Sequence, residues 1–272
     1  MSYLEFYRLA QEPFSNAPVR DLYFDSTQHA QALVRLQRAV AGMKGLALLV
    51  IVHSGITANW LLRRIALQLG IDAPADEKLA LLAQLYQRLL EIHDQGRKAV
   101  VLIDEAQMLS SRELMEEFRG LLNLEVPGRK LVSFVFFGLP EIERNLGLDP
   151  PLAQRVAVRC RLEPLGEEST EAYVRHRMSL AGAPRVPFTP EALREVHRWS
   201  RGTPRLVNTL CDNALFEGFV AGAEEVDASL VERVARELAL EPPSPPRRAV
   251  AAGGAAPLDL DEIDRYLDSL LD

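Results

Sequence analysis

Apolar strands alternating with amphipathic helices to about residue 162, then helices alone to about residue 240, predict an α/β domain joined to a small all-helical one. Three observations carry that reading. Residues 46–52, 99–103 and 131–137 are short apolar runs, the pattern of parallel strands covered on both faces. Helical patterns separate the runs, as crossovers between parallel strands require. Beyond Glu163 no strand pattern is convincing.

Residues 1–25 are aromatic-rich, broken by Pro13 and Pro18, and expected to be irregular. Asp25-Ser26 offers an N-cap for a helix to about Lys44, with Ala32, Leu33, Leu36, Val40 and Met43 on one stripe. Gly45 ends it and the first strand follows. Helices are expected over about 57–69, stopped by Gly70, and over about 77–94, with Gly96 leading into the second strand. Ser110 or Ser111 can cap a helix through Leu122, and Gly138-Leu139-Pro140 closes the third strand. Three or four more helices read at about 167–181, 190–200, 204–221 and 227–239. The expected organisation is an α/β domain over 1–162, a helical lid over 163–240, a Pro/Ala/Gly-rich linker over 241–257 and an acidic amphipathic tail helix over 258–272.

Composition narrows the function classes. Charged residues are 25% and the longest apolar run is too short for a bilayer span. The start, Met-Ser-Tyr-Leu-Glu-Phe, lacks a basic region before an apolar one, so a cytoplasmic protein is expected. Cys160 and Cys211 make neither a disulfide framework nor a metal spacing, and the five histidines are scattered. Net charge is −7, of which −5 lies in residues 258–272, so the body is nearly neutral and gives no global case for nucleic-acid binding.

Lys98-Ala-Val-Val-Leu-Ile-Asp-Glu-Ala-Gln107 carries the chemistry. The strand delivers Asp104 and Glu105 at its carboxyl end, where open α/β sheets keep their ligands. In an NTPase Asp104 would hold Mg²⁺ and Glu105 would polarise the attacking water. The plainer alternative is a solvated acidic pair that ends a strand. An NTPase site also needs Gly-x-x-x-x-Gly-Lys-Ser/Thr upstream, and no such sequence occurs in this chain.

The order of further motifs resembles the AAA+ ATPases of the ExeA/GspA type, the general secretion pathway protein A family. Tyr3-Leu-Glu-Phe6, Glu12-Pro-Phe14, Leu22-Tyr23, His29 and Lys44-Gly45 look like its N-terminal stretch. Asp104-Glu-Ala-Gln107 resembles its Walker B, followed by Asn123-Leu-Glu125 and Gly138-Leu-Pro-Glu141. Leu152-Ala-Gln-Arg155 through Arg159 and Leu162-Glu-Pro-Leu165 resemble its arginine-finger region, leading to Tyr173 and His176-Arg177. Ser200-Arg-Gly-Thr-Pro-Arg205-Leu-Val-Asn208 resembles its sensor 2 helix. The resemblance implies a P-loop NTPase-like (AAA+) sheet with a helical lid, ATP and Mg²⁺ as cofactors, and homo- or hetero-oligomers. It implies catalytic roles for Asp104, Glu105, Arg155 and Arg159, with Asp104 as metal ligand. Gln107, Pro204 and Arg205 are implied on the cofactor side.

Against that pattern, residues 50–70 align best with the family's second strand and the helix after it. One strand–loop–helix unit of roughly 30 residues is then missing between about Leu46 and Leu49. Leu139 also stands where the family has a glutamine. Together these imply weak nucleotide binding and a non-hydrolysing regulatory or scaffold role in assembling a secretion or envelope machine. An active motor is the alternative if the native gene encodes the unit, and a DNA-transposition helper is the other relative class. The tail, with Leu260, Ile263, Leu267, Leu270 and Leu271 at helical spacing, reads as a docking peptide for a protein partner, or as a helix that folds back on its own body.

Overall fold

A computed structural model describes residues 2–17, 20–40, 45–51, 56–127 and 129–241. The linker and the tail helix expected over 241–257 and 258–272 lie outside the described residues, apart from Glu241, as does most of the segment 52–56 before the first crossover helix.

In chain order the elements are α1 (Tyr3–Phe6), α2 (Thr27–Val40), β1 (Gly45–Ile51), α3 (Ala58–Gln68), α4 (Lys78–Asp94), β2 (Lys98–Asp104) and α5 (Arg112–Leu121). Then come β3 (Glu125–Val126), β4 (Arg129–Lys130), β5 (Val132–Phe136), α6 (Ile142–Leu146) and α7 (Pro150–Ala153). The last four are α8 (Glu167–Leu180), α9 (Pro190–Ser200), α10 (Pro204–Val220) and α11 (Ala228–Glu237). Local chemistry sets the boundaries. Thr57, Ser111, Thr189 and Asp227 each accept a backbone N–H of the first turn, capping α3, α5, α9 and α11. Proline opens α7, α9 and α10, where its missing N–H costs nothing.

The described chain forms two units. Residues 35–160 make one; those up to Val34 join those from Arg161 onward in the other, with α2 crossing the division. The sequence placed residues 1–162 in one α/β body, whereas the first 34 residues group with the helices. The reason is visible in their contacts. Tyr3 donates to Asp212 Oδ1 at 3.0 Å, Tyr7 donates to the Ala223 carbonyl at 2.9 Å, and the Ala10 N–H donates to the Ala181 carbonyl. Arg177, buried beneath them, donates to the carbonyls of Pro13 and Ser15 at 2.5 and 2.7 Å. Tyr7, Leu9 and Phe14 thereby enter a core built from Val174, Met178, Leu193, Val196, Leu210 and Val231.

The α/β unit holds a parallel three-stranded sheet ordered β1–β2–β5. Ile51 pairs with Asp104, and Ile103 with Phe136. Leu61, Leu62 and Ile65 of α3, Leu81 and Leu85 of α4, and Met115 and Phe118 of α5 pack with Val101 and Ile103. Phe118 meets Phe134 and Phe136 edge-on, each with ring centroids 5.0 Å apart. The expected double-faced burial of β2 is corrected: Ala99, Val101 and Ile103 are buried, while Val100 and Leu102 on the other face are half-buried. One face of β2 is fully covered, and β5 pairs on its outer edge with no strand among the described residues.

Candidate functional site

The acids sit where the sequence placed them. β2 ends at Asp104, and the Glu105 N–H turns back to Asp104 Oδ1 at 2.9 Å. Glu105 has φ 55°, a left-handed conformation uncommon for a residue with a Cβ. Its surroundings enforce it. The Ala106 N–H donates to the Phe137 carbonyl at 2.8 Å, and the Phe137 N–H to the Ile103 carbonyl at 2.7 Å. Gln107 bridges the two segments: its Nε2 donates to Glu105 Oε2 at 2.6 Å, and its Oε1 accepts the Leu139 N–H at 3.1 Å. Asn145 Nδ2 donates to the Gln107 carbonyl at 2.7 Å. Gly138 lies so close that a Cβ there would stand 2.7 Å from Gln107 Oε1 and 3.2 Å from the Ala106 nitrogen. Backbone strain at one acid is thus held by a pair of amides and a glycine.

ATP with Mg²⁺ is a poor fit to this donor set. Two carboxylates meet two amides, and among the described residues neither Asp104 nor Glu105 has a cationic partner. The triphosphate's charge would face Asp104 and Glu105 with nothing described to balance it.

The expected arginine fingers belong to the same unit, and both are exposed. Arg155 Nη1 donates to Asn123 Oδ1 at 2.8 Å and to the Arg119 carbonyl at 3.2 Å, satisfying the C-terminus of α5. Arg159 donates to the Ala153 carbonyl at 3.4 Å. Nearby, Arg119 Nε pairs at 2.9 Å with buried Asp149; that hydrogen bond holds the Asp149 carboxyl below its ordinary range.

Pro204 and Arg205 open α10 in the helical unit, with Arg205 exposed. Gly202, just before them, has φ +71°, and its carbonyl accepts the Leu165 N–H at 2.8 Å. Pro204 lines a cavity of about 490 Å³, together with Tyr23, Phe24, His29, Tyr173 and Arg177. Tyr173 donates to Asn208 Oδ1 at 2.7 Å, its ring lies under Arg177, and burial pushes its hydroxyl pKa up. The sequence marked Tyr23, His29, Tyr173 and Arg177 only as part of a resemblance. Their convergence depends on the N-terminal segment folding onto α8, a long-range contact with no local signal.

Residues 26–146 match the AAA domain family. General secretion pathway protein A of Aeromonas hydrophila is 33% identical over 253 residues, covering 82% of this chain and 46% of that protein. The chain therefore spans about half the length of that relative. The Holliday junction branch migration complex subunit RuvB of Prochlorococcus marinus is 37% identical over 86 residues, 31% of this chain and 24% of that protein. Among solved structures, the Aeropyrum pernix ORC2 protein overlays with TM-score 0.61 at 16% identity, covering 84% of this chain and 72% of that one. Cdc6p from Pyrobaculum aerophilum overlays with TM-score 0.62 at 13% identity, covering 83% and 70%. These overlays show the fold: an α/β, P-loop NTPase-like parallel sheet with a helical C-terminal region.

Proposed function

For this chain, an AAA+ ATPase-family protein of the ExeA/GspA type, we propose weak nucleotide binding and a non-hydrolysing, partner-binding role in assembling a secretion or envelope machine. One observation carries the reading. The match to general secretion pathway protein A runs over 253 residues yet takes up 82% of 272, about 223, leaving about 30 without a counterpart here. That is the size of one strand–loop–helix unit, roughly 30 residues, and the chain has no phosphate-loop sequence. The phosphate loop would supply backbone N–H groups, a helix N-terminus, a lysine and a Mg²⁺-binding hydroxyl.

The sheet supports the same reading. Among the described residues it has three strands, an unpaired outer edge on β5 and one face of β2 whose apolar side chains are half-buried, as loss of a strand and a covering helix would leave it. Among the described residues, the helical unit also holds a cavity. Its volume is that of a small-molecule site, and its lining sets the rings of Tyr23, Phe24 and Tyr173 beside Arg20, His29 and Arg177. Arg155 and Arg159 act in this reading as bracing for α5 and α7, not as fingers. The protein works in the cytoplasm and reaches its partner through residues 258–272. Among the described residues no helix is long and apolar enough to cross a membrane.

The braced Glu105 favours one second reading, an active motor whose native gene encodes the missing unit. Titration with Mg-ATP in a calorimeter, with phosphate release followed in parallel, decides between them. The proposal expects no saturable binding in the micromolar range and no turnover. Low-micromolar binding with turnover would replace it with the motor.

A further inference from the structure

Among the described residues, the outer edge of β5 is unguarded. The Ala99 N–H bonds to the Leu131 carbonyl, and Phe137 bonds to Ile103 and Ala106. Odd-numbered residues thus turn their backbone groups toward β2. Val132, Phe134 and Phe136 must aim theirs outward. Natural edge strands carry charges, prolines or bulges that prevent pairing. Residues 131–137, Leu-Val-Ser-Phe-Val-Phe-Phe, contain none of these. Beside the edge, Val100, Leu102 and Val135 are half-buried on the less covered face, and Phe137 and Leu139 are exposed.

We propose that this edge pairs antiparallel with β5 of a second copy of the chain, about a twofold axis at Phe134, to give a continuous six-stranded sheet. The strand is self-complementary in this sense. With Phe134 opposite its own copy and Val132 opposite Phe136, about six backbone hydrogen bonds form. Ser133 then faces Val135 of the other copy on the less covered side.

Charge selects a second copy as the occupant. Exposed Arg129, with Lys130 paired to Glu125 beside it, lies at the amino end of β5, whereas Asp104, Glu105 and Glu141 lie at the carboxyl end of the sheet. Antiparallel pairing sets each basic end beside the other copy's acidic end. Parallel addition would set like beside like. A twofold contact of this kind closes on itself and stops at two copies, leaving the outer edge of β1 at each end.

Light scattering after gel filtration over a dilution series tests the oligomer. The proposal expects twice the 30.3 kDa chain mass for the wild type and a monomer for Val135→Lys, whose melting temperature should stay within a few degrees because that face is half-exposed. Register is tested by cross-linking in a Cys160→Ser background. A mixture of Ser133→Cys and Val135→Cys chains should oxidise to a mixed disulfide dimer, because facing non-hydrogen-bonded residues stand about 4.5 Å apart at Cα. Ser133→Cys alone should not. A monomeric wild type, a dimer that survives Val135→Lys, or equal cross-linking of Ser133→Cys alone would each overturn the proposal.

Discussion

Gly202→Ala should unfold the helical unit far more readily than Gly222→Ala, although both glycines are left-handed, with φ +71° and +67°. A left-handed alanine costs about 1–2 kcal/mol at either position. At Gly222 a Cβ would meet nothing within 4 Å, so that is the whole cost. At Gly202 it would overlap the Leu165 carbonyl oxygen and stand 2.8 Å from its carbon and 2.9 Å from its nitrogen. Those atoms are backbone and cannot rotate away. Separating the two segments breaks the Leu165 N–H bond to the Gly202 carbonyl, worth about 1 kcal/mol. Displacing the packed chain costs about 1–2 kcal/mol more. The expected totals are about 3–5 kcal/mol for Gly202→Ala and about 1–2 kcal/mol for Gly222→Ala. Urea denaturation followed through the fluorescence of buried Trp199 reads the difference. Equal losses for the two variants would refute the claim that close approach, and not φ alone, requires glycine in the Gly-Thr-Pro-Arg motif.

Arg177→Met should cost about 3 kcal/mol by removing charged hydrogen bonds to Pro13 and Ser15, and should expose residues 11–17 to limited proteolysis; protection equal to wild type would contradict it. Phe118→Ala, at a fully buried ring between Phe134 and Phe136, should cost about 3–5 kcal/mol in urea unfolding of the α/β unit. Asp149 is held below its ordinary pKa by Arg119, so its contribution is complete above the ordinary carboxylate pKa and disappears as pH falls through the lowered folded value. Asp149→Asn should therefore lower the urea midpoint at neutral pH and change it less at acid pH, where wild type has lost the same contribution; a pH-independent deficit would contradict this.

The periodic signals were legible because local chemistry decides them. Caps at Thr57, Ser111, Thr189 and Asp227, and prolines at 190 and 204, fixed helix starts to within a residue or so. The three strands and their parallel direction follow from apolar runs separated by crossovers. Three things were not legible. The apolar run of β2 suggested two covered faces, yet a run of valine and leucine reads the same whether or not a second layer exists. The N-terminal segment looked like part of the α/β domain because proximity in sequence was the sole guide. Its attachment through Tyr3, Tyr7 and Arg177 spans more than 160 residues. At the site, the motif placed Asp104 and Glu105 correctly. The bracing by Asn145 and Gly138 and the left-handed Glu105 depend on how the segment after β5 returns to β2, which no spacing encodes.

We propose that Asp104 and Glu105 remain where the cradle for phosphate does not. Equilibrium binding of Mg-ATP to the wild type and to the Asp104→Asn/Glu105→Gln double variant tests it most directly. Without a cradle, the acids only repel the triphosphate, so the double variant should bind severalfold more tightly than wild type, with little dependence on Mg²⁺. Low-micromolar, Mg²⁺-dependent binding by wild type that weakens in the double variant would contradict the account.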